Sequence, residues 1–496
     1  MGISSHFPVL IVVTPLIGAY LIPVLALRKK KLCVLTAVSA MLMSCYMAVN
    51  IALRVLATGT IHYHVGNWQP PWGIEISIDY LGALMALMIA GVGLLIVIYS
   101  ARYAEKGIEE RNIGIYYALV MLLLAGLTGM VVTGDIFNLF VFLEIMSLSS
   151  YALVPIAGKK GEEGQFEASF RYLYMAAIAS TFVLIGIGLL YMITGTLNMA
   201  DLAIRLKTAR LIYPTIVAGA LGFLVVGFSL KAALFPLHIW MPDAYTHAPA
   251  PVNALSSGIK IEVCAYVLIR LFYSIFGISF VSLTHIDTIL ALLAATAIIM
   301  GSLFAIAQND VMRLLAYSSV SQIGYIILGA TLITESGLTG GIFHLINHSV
   351  MKTAMFLAAG AVIYKTGIRD IRDYGGLGRK MPLTMGAFSV AALAMVGIPP
   401  LAGFMSKWFL VLGSLEAGNL AFVFVILASS LLNAVYFFRV INHIYFGHIE
   451  EGIKVDEAPI SMLVPTIILA LASIAFGIFA SRPLSMIRPA VRLLGL

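Results

Sequence analysis

Residues 231–260 read KAALFPLHIWMPDAYTHAPAPVNALSSGIK, and this stretch decides the fold. It begins inside an apolar run near residues 211–236, with Lys231 placed five residues before Pro236. A proline inside a helix removes a backbone hydrogen bond and interrupts the rod. At membrane depth an interrupted helix is tolerated only where protein or water satisfies the freed backbone groups. The stretch therefore predicts a broken membrane helix that carries a lysine.

The composition of the whole chain agrees with a membrane location. Of its 496 residues, 61% are hydrophobic and 11% are charged, and the mean hydropathy is +1.01. A soluble protein of this size is roughly one quarter charged. A membrane-spanning helix needs about 20 largely apolar residues, and this length gives about 14 candidate spans. They lie near 8–27, 32–53, 79–101, 113–133, 136–157, 171–194, 211–236, 252–274, 286–307, 314–334, 338–364, 384–412, 419–446 and 460–481. We expect an all-α polytopic membrane protein.

A second stretch repeats the combination of proline and lysine. Residues 397–409 read GIPPLAGFMSKWF, with Pro399 and Pro400 shortly before Lys407. Lys231 lies in the seventh predicted span and Lys407 in the twelfth, and a repeat of five spans is inverted in the membrane. The alternative is a chance placement of prolines. We expect two inverted five-helix repeats with broken helices 7 and 12. The predicted units are residues 1–112 (helices 1–3), 113–275 (first repeat), 284–447 (second repeat) and 458–496 (helix 14).

The basic residues predict the orientation. Most Lys and Arg residues outside the spans follow odd-numbered spans, and such loops are cytoplasmic by the positive-inside rule. Both termini are then outside, in the plasma membrane of a prokaryote, and residues 60–79 form an outer loop. Its Trp68 and Trp72 suit an interfacial aromatic turn. The same rule explains the net charge of +7 without a nucleic-acid partner.

Several classes of catalytic site find no support in the residues. Cys33, Cys45 and Cys264 lie singly in apolar stretches, without a CxxC pair or a Cys/His set. No P-loop and no GxGxxG after a strand occurs. We therefore expect no redox cofactor, no metal and no nucleotide hydrolysis by this chain.

Four lysines and two glutamates lie inside predicted spans: Lys231, Lys260, Lys352, Lys407, Glu144 and Glu262. A charge at the bilayer centre costs about 2.5–3.5 kcal/mol on insertion scales. Snorkelling from a helix end is the alternative, and it fails for Glu144, Lys260 and Lys352, which lie deep in their spans. It stays open for Lys231 and Lys407. The buried charges indicate a path for protons or sodium ions.

The eleventh span adds titratable groups at helical spacing. His344, His348 and Lys352 recur every four residues, so they share one helix face. Histidine titrates near neutrality, and the stripe favours a proton relay over ordinary core packing. A metal pair lacks an evident third ligand.

Three further groups stay open at this level. His238 and His247 flank the break after Lys231 and suit either a wet region or the interface. Glu262 lies two residues from Lys260, on the other side of the helix, so the two cannot pair. We favour a structural role for Glu262.

Five motifs together resemble the antiporter-like subunits of complex I and of Mrp-type sodium/proton antiporters, over spans 3 to 13. They are GDIFNLFVFLEIMSLSSYAL (134–153), residues 231–260, RLLAYSSVSQIGYI (313–326), HLINHSVMKTAMFLAAG (344–360) and GIPPLAGFMSKW (397–408). Only a short tail follows the last span, so the chain is most similar to the shorter type. That type includes the D-type subunit of Mrp antiporters and relatives in membrane-bound hydrogenases and archaeal sulfur-reducing complexes.

The resemblance implies a role for each buried group. Glu144 and Lys231 form a switching ion pair, and Lys231 passes its proton towards Lys260. The relay then continues through His344, His348 and Lys352 and ends at Lys407. The implied function is translocation of H⁺, Na⁺ or both within a redox-driven or pure antiport complex. Its partners are the lipid bilayer, antiporter-like and small Mrp-type subunits, and a hydrogenase- or quinone-reductase-like arm. The alternatives are a solute transporter, a non-conducting scaffold subunit and, with least support, a redox enzyme.

Overall fold

The computed structural model describes residues 3–157, 164–447 and 456–496. Within these ranges nearly all regular structure is helical, which confirms the prediction of an all-α polytopic membrane protein. One antiparallel hairpin pairs β1 (Ile61–His64) with β2 (Glu75–Ile78). The predicted cytoplasmic lysines Lys159, Lys160 and Lys454 lie outside the described residues.

The helices follow the chain in the order of the predicted spans. In the first half they are α1 (Phe7–Ala26), α2 (Lys30–Thr58), α3 (Tyr80–Gly107), α4 (Ile113–Val132), α5 (Ile136–Leu153), α6 (Gly164–Thr194), α7 (Met199–Ile212), α8 (Pro214–Lys231), α9 (Trp240–His247), α10 (Ala250–Leu255), α11 (Ile261–Arg270) and α12 (Ile278–Leu283). Two π-helical segments, Ser256–Lys260 and Leu271–Phe276, join α10 to α11 and α11 to the turn before α12.

The second half continues with α13 (Ile286–Ile306), α14 (Val311–Thr331), α15 (Glu335–Thr366), α16 (Leu377–Lys380), α17 (Pro382–Val396), α18 (Ala402–Glu416), α19 (Leu420–Phe446), α20 (Ile460–Ile478) and α21 (Ser481–Leu493). In the described ranges, twelve helices are long and apolar enough to cross a membrane. The eighth and twelfth predicted spans correspond to series of shorter helices, α10–α11 and α17–α18. The number of crossings and the inverted repeats stay predictions.

The helical structure is interrupted at both proline stretches. α8 ends at Lys231, and eight non-helical residues, 232–239, lead to α9. α17 ends at Val396, where Gly397 adopts φ +93°, and α18 begins at Ala402. The Phe235–Pro236 and Pro399–Pro400 peptide bonds are cis. The two breaks leave helix ends inside the protein, beside lysines.

Aspartates begin several of the long helices, because their carboxylates accept free backbone N–H groups of the first turn. Asp79 accepts from Gly82 at 2.9 Å, Asp135 from Asn138 at 2.7 Å and Asp310 from Arg313 at 2.9 Å. These acids therefore have structural roles, as their places near predicted helix ends suggest.

The centre of the bundle is α15, which is buried along nearly its whole length and packs against α14, α18 and α20. α1, α2, α6 and α19 turn large apolar side chains outward, including Leu53, Phe170 and Leu431. Such surfaces suit lipid or neighbouring membrane subunits. The core thus lies around the helix that carries His344, His348 and Lys352.

Short elements at the membrane faces were not predicted. Residues 199–210, between two predicted spans, belong to α7 (Met199–Ile212), and residues 60–79, expected as an outer loop, contain the hairpin. Trp68 and Trp72 lie at its exposed tip, with 68% and 89% of their surface accessible. Strands of four residues give too short an alternation to be read from sequence.

Candidate functional site

The first buried lysine lies against a polar stripe of α5. Glu144, Ser147 and Ser150 follow one another at three-residue spacing, so their side chains are neighbours on the helix. Lys231 Nζ donates to Ser147 Oγ at 2.6 Å. Glu144 accepts a hydrogen bond from Ser180 of α6. The expected direct ion pair between Glu144 and Lys231 is thus not formed in this structure, because serine hydroxyls occupy both partners.

Lys260 is held by hydroxyl groups and aromatic faces. Its Nζ donates to Tyr172 Oη at 2.6 Å and to Ser150 Oγ at 3.3 Å. The ammonium also lies 4.5 Å from the ring centroids of Tyr172 and Trp240, which stack on each other. Such cation–π contacts stabilise a desolvated cation by about 2 kcal/mol. Ser147 and Ser150 lie one turn apart, so α5 joins Lys231 to Lys260.

The π-helical segment before Lys260 brings it close to α15. A Cβ built on Gly258 would lie 2.0 Å from Thr353 Oγ1 and 3.1 Å from Ser349 O. Only glycine permits this approach of the two backbones. π-helical segments often mark functional sites because they shift the register of side chains along a helix. Here the segment sets Lys260 beside α5 and the glycine against α15.

Serines link this region to Lys352. Ser257 Oγ lies 2.7 Å from Ser319 Oγ on α14. Its neighbour Ser318 accepts a hydrogen bond from Lys352 Nζ, which also donates to Leu315 O at 3.3 Å. The third lysine is therefore connected to the segment of Lys260 through two adjacent serines of α14.

The structure places Glu262, for which the sequence favoured a structural role, among the buried polar groups near Lys260 and Lys352. It is fully buried on α11 and contacts Nδ1 of His348, which is also fully buried. Glu262 does not pair with Lys260, as expected, but its partner lies on another helix, where local spacing gives no information. The sequence did offer one sign of a role for Glu262, because placing a carboxyl group deep inside a membrane span costs free energy.

His344 continues the same face of α15 towards the second break. Its Nδ1 lies 2.9 Å from Ser406 Oγ, and its Nε2 lies 2.9 Å from Gln322 Oε1. The rings of His344 and His348 stack, with centroids 6.3 Å apart. Ser406 is adjacent in sequence to Lys407, so the two histidines lie between Glu262 and the helix that carries the last lysine.

Lys407 is held by the carbonyl groups that the second break leaves free. Its Nζ donates to Met395 O and Val396 O, both at 3.0 Å, and to Ser430 Oγ at 3.1 Å. The last carbonyls of a helix have no partner within the helix and carry its negative dipole end. The end of α17 therefore forms a cation site, and the ammonium also lies 5.0 Å from the centroid of the Tyr325 ring.

The two histidines beside the first break lie apart from this series. His238 is buried and stacks on Phe235 at 5.2 Å. His247 Nδ1 lies 2.9 Å from Asp243 O, four residues earlier in its own helix. Neither ring shares a hydrogen bond with one of the four buried lysines in the part of the chain that the structure describes.

Several buried polar atoms near the centre have no protein hydrogen-bond partner among the described residues. They are Glu262 Oε2, His348 Nε2, Ser349 Oγ and Thr353 Oγ1. Buried polar groups are usually satisfied by protein or by ordered water. Their clustering between α15 and the start of α11, beside the Ser256–Lys260 segment, favours hydration of the space between Lys260 and Lys352.

Two family models match the chain. Residues 133–433 match the family described as NADH:quinone oxidoreductase/Mrp antiporter, TM. Residues 63–112 match NADH-Ubiquinone oxidoreductase (complex I), chain 5 N-terminus. The first match contains every buried lysine, Glu144, Glu262 and both histidines of α15.

Individual relatives extend over nearly the whole chain. The N-type subunit of the NADH-quinone oxidoreductase of Desulforudis audaxviator is 43% identical, with 97% of each chain covered. The D-type subunit of the Na(+)/H(+) antiporter of Bacillus subtilis is 32% identical, over 96% of this chain and 94% of the relative. A chain of the membrane-bound sulfane sulfur reductase, an archaeal respiratory membrane complex, superposes with a TM-score of 0.89 at 34% identity, covering 98% and 97%.

Proposed function

Because the chain belongs to the NADH:quinone oxidoreductase/Mrp antiporter family of membrane subunits, we propose that it translocates protons through its buried lysines and histidines as one subunit of a larger complex. The path runs along the membrane, from Glu144 and Lys231 in the first half to Lys407 in the second. One observation carries the proposal: each buried lysine contacts hydroxyl, carbonyl or aromatic groups, and none forms an ion pair with a carboxylate among the described residues.

This contact pattern suits groups that gain and lose a proton. A lysine locked to a carboxylate in a buried ion pair stays charged, and breaking such a pair costs about 3–5 kcal/mol. Hydroxyl groups accept from the charged ammonium and donate to the neutral amine. Each lysine site can therefore satisfy both protonation states without a change of partner.

The contacts also order the path. Ser147 and Ser150 connect Lys231 to Lys260, and the Ser257–Ser319 contact leads from there to Ser318 and Lys352. On α15, Lys352 lies one turn from His348, and His344 reaches Ser406 beside Lys407. Each step joins neighbouring polar groups, and ordered water completes the remaining links.

The same residues favour protons over sodium ions on this path. Two cations 4 Å apart repel each other by about 4 kcal/mol at an effective dielectric constant of 20. A row of ammonium groups opposes a sodium ion, whereas a proton moves by changing which of the groups is charged.

Glu144 is the proposed gate at the start of the path. It is only partly buried, at the outer side of α5, whereas Lys231 is buried. Rearrangement of the Ser180 and Ser147 contacts would let Glu144 and Lys231 pair directly, which holds the proton on Lys231. Return to the serine contacts releases it towards Lys260.

Other membrane subunits are the proposed partners. The relatives and the similar solved chain come from multisubunit membrane complexes by their names, and the outward apolar faces of α1, α2, α6 and α19 suit side-by-side packing. An antiporter-like or Mrp-type neighbour would also cover Glu144. We place the chain in the plasma membrane of a prokaryote with both termini outside, as the distribution of basic residues predicts.

The proposal is tested by ion transport in the assembled complex. Glu144→Ala should abolish proton uptake into vesicles while the subunit remains assembled, because the gate is lost. Glu335→Ala, an exposed acid at the start of α15, is the matched control and should transport normally. If the subunit were only a scaffold, the complex would take up protons at the full rate with Glu144→Ala in this chain, and also with alanine at all four of its buried lysines.

A further inference from the structure

A cavity of about 310 Å³ lies beside the hairpin and is lined by residues of α4, α5, α6, α8 and α11. Its mouth is lined by Thr60, His62 and Ser77 of the hairpin region. The His62 side chain is 57% exposed, so the mouth meets solvent. We call this space the hairpin vestibule.

The wall behind the mouth is polar, and its acidic side chains are paired with polar or basic partners. Glu75 is buried and hydrogen-bonds His62 Nδ1 at 2.6 Å and Asn198 Nδ2 at 2.7 Å. Arg270 binds both oxygens of Asp79, with Nη1 2.6 Å from Oδ2. These fixed groups offer water a polar surface, and their satisfied contacts leave the wall rigid.

The inner end of the vestibule is apolar. Leu139, Ile187, Phe228 and Val267 close it, and the Phe228 side chain is almost fully buried. Side chains on a helix lean towards its N-terminus. α8 starts at the hairpin side and runs inward, so the Phe228 ring projects from below into the vestibule.

Beneath this apolar end lie the groups of the proton path. On α8, Lys231 follows Phe228 by three residues, about 4.5 Å further along the axis and on the same side. On α5, Ser147 follows Leu139 by eight residues, two turns deeper on one face.

The other two helices show the same alignment. Lys260, the last residue of the π-helical segment, precedes Val267 of α11 by seven residues, which returns it to nearly the same face, about 10 Å deeper. On α6, Ser180 precedes Ile187 by seven residues in the same way, and Ser180 is the residue that holds Glu144. All four helices that close the vestibule therefore carry a group of the path directly behind its apolar end.

We propose that the hairpin vestibule is the route by which water and protons reach Lys231 from the hairpin face of the membrane, and that the Phe228 ring is its gate. This inference rests on the proposed function, since it supplies the path with an entrance. An apolar constriction blocks water by dewetting until it widens, and the block fails when the side chain that narrows it is removed. Phe228 is thus a positioning residue that separates the wet vestibule from Lys231.

Chemical labelling tests the gate without relying on transport. Cys264 lies three residues inward of Val267 on α11 and is fully buried. In a Cys33→Ser, Cys45→Ser background it is the remaining cysteine. Vesicles that contain the assembled complex are treated with a membrane-impermeant trimethylammonium methanethiosulfonate. Phe228→Ala should speed labelling of Cys264 from the hairpin side by about tenfold or more, because water and reagent pass the widened constriction.

Phe223→Ala is the matched control. Phe223 lies on the same helix but packs on Phe182 outside the vestibule, so its removal should leave the labelling rate unchanged. Equal rates in the two variants, or labelling from the opposite face alone, would overturn the gate.

A second variant covers the case in which Phe228→Ala does not assemble. Leu139→Cys places a thiol on the vestibule wall with Phe228 intact, and it should be labelled from the hairpin side. If the reagent does not label Leu139→Cys, the proposal that the vestibule is open to water from the hairpin side is wrong. Labelling is read independently of pumping, so loss of the vestibule and loss of the proposed function give different results.

Discussion

The Lys231 ammonium donates to the Ser147 hydroxyl at 2.6 Å, one helical turn along α5 from Glu144. Glu144 itself is engaged by Ser180. Glu144 and Lys231 are therefore separated in this structure, and each of them is hydrogen-bonded to a serine instead of to the other. Serine hydroxyls serve as the intermediate partners along the whole path, at Ser150, Ser318 and Ser430 as well.

Removal of the hydroxyl at Ser147 should slow transport. Ser147→Ala leaves the separated state of Lys231 without its acceptor, and a hydrogen bond to a charged group contributes about 1.5–3 kcal/mol. If this contact is needed at the slow step, proton transport falls roughly 10- to 100-fold. The measurement is proton uptake by vesicles with the assembled complex. Ser149→Ala is the control, because among the described residues the Ser149 hydroxyl donates to Ile145 O of its own helix and to no group of the path. Equal rates in both variants would remove Ser147 from the path.

Neutralisation of Glu262 should impair transport without loss of the fold. Glu262→Gln keeps the size of the side chain and a hydrogen bond to His348 but removes the carboxylate. His348 then loses the group that stabilises its charged form, so the relay on α15 slows by about tenfold or more. Uptake rates are compared with those of Glu416→Gln, an exposed acid that binds Ser336. Full transport activity in the Glu262→Gln complex would contradict this prediction and support the structural role that the sequence favoured for Glu262.

A methyl group at position 258 should push the Ser256–Lys260 segment away from α15. Gly258→Ala places Cβ 2.0 Å from Thr353 Oγ1, and overpacking of this kind costs about 1–3 kcal/mol. The midpoint of thermal unfolding should fall, and transport should fall with it. Thr353→Ala in the same chain removes Oγ1 and should restore part of both. Gly219→Ala, which meets nothing within 4 Å, is the control. A double variant no better than Gly258→Ala alone would contradict the contact.

The ion pair in the vestibule wall should stabilise the fold more than a surface pair. The Asp79 and Arg270 side chains are 17% and 15% exposed, against 30% and 45% for Asp201 and Arg205. Arg270→Ala leaves a mostly buried carboxylate and should cost about 3–5 kcal/mol. Arg205→Ala should cost about 0–1 kcal/mol. Thermal unfolding of the two variants checks this order, and equal midpoints would contradict it.

The lysines could be predicted from sequence because a charge inside an apolar run is rare and expensive. The proline stretches likewise indicated where the rods of α8 and α17 end. The partners of the lysines could not be predicted. Serine is common in membrane helices and often bonds to its own backbone, as Ser149 does. Nothing in the sequence distinguishes Ser149 from Ser147, because the difference is which helix each one faces.

The Glu262–His348 contact was missed for a related reason. The two residues are 86 positions apart, and their contact depends on how the Ser256–Lys260 segment, which leads into α11, packs on α15. Local spacing decides only pairs on one helix. The hairpin vestibule was equally hidden, since it combines a short hairpin with the ends of helices that are distant in the chain.

Proton transport by a Lys231→Ala complex in proteoliposomes tests the central claim most directly. Lys207→Ala, at an exposed position of α7, is the matched control and should transport normally. Lys231→Ala should assemble to the same level and abolish transport, because Lys231 is the one ionisable side chain of α8 (Pro214–Lys231), a helix that the structure describes throughout. A Lys231→Ala complex that pumps as fast as Lys207→Ala would contradict the account.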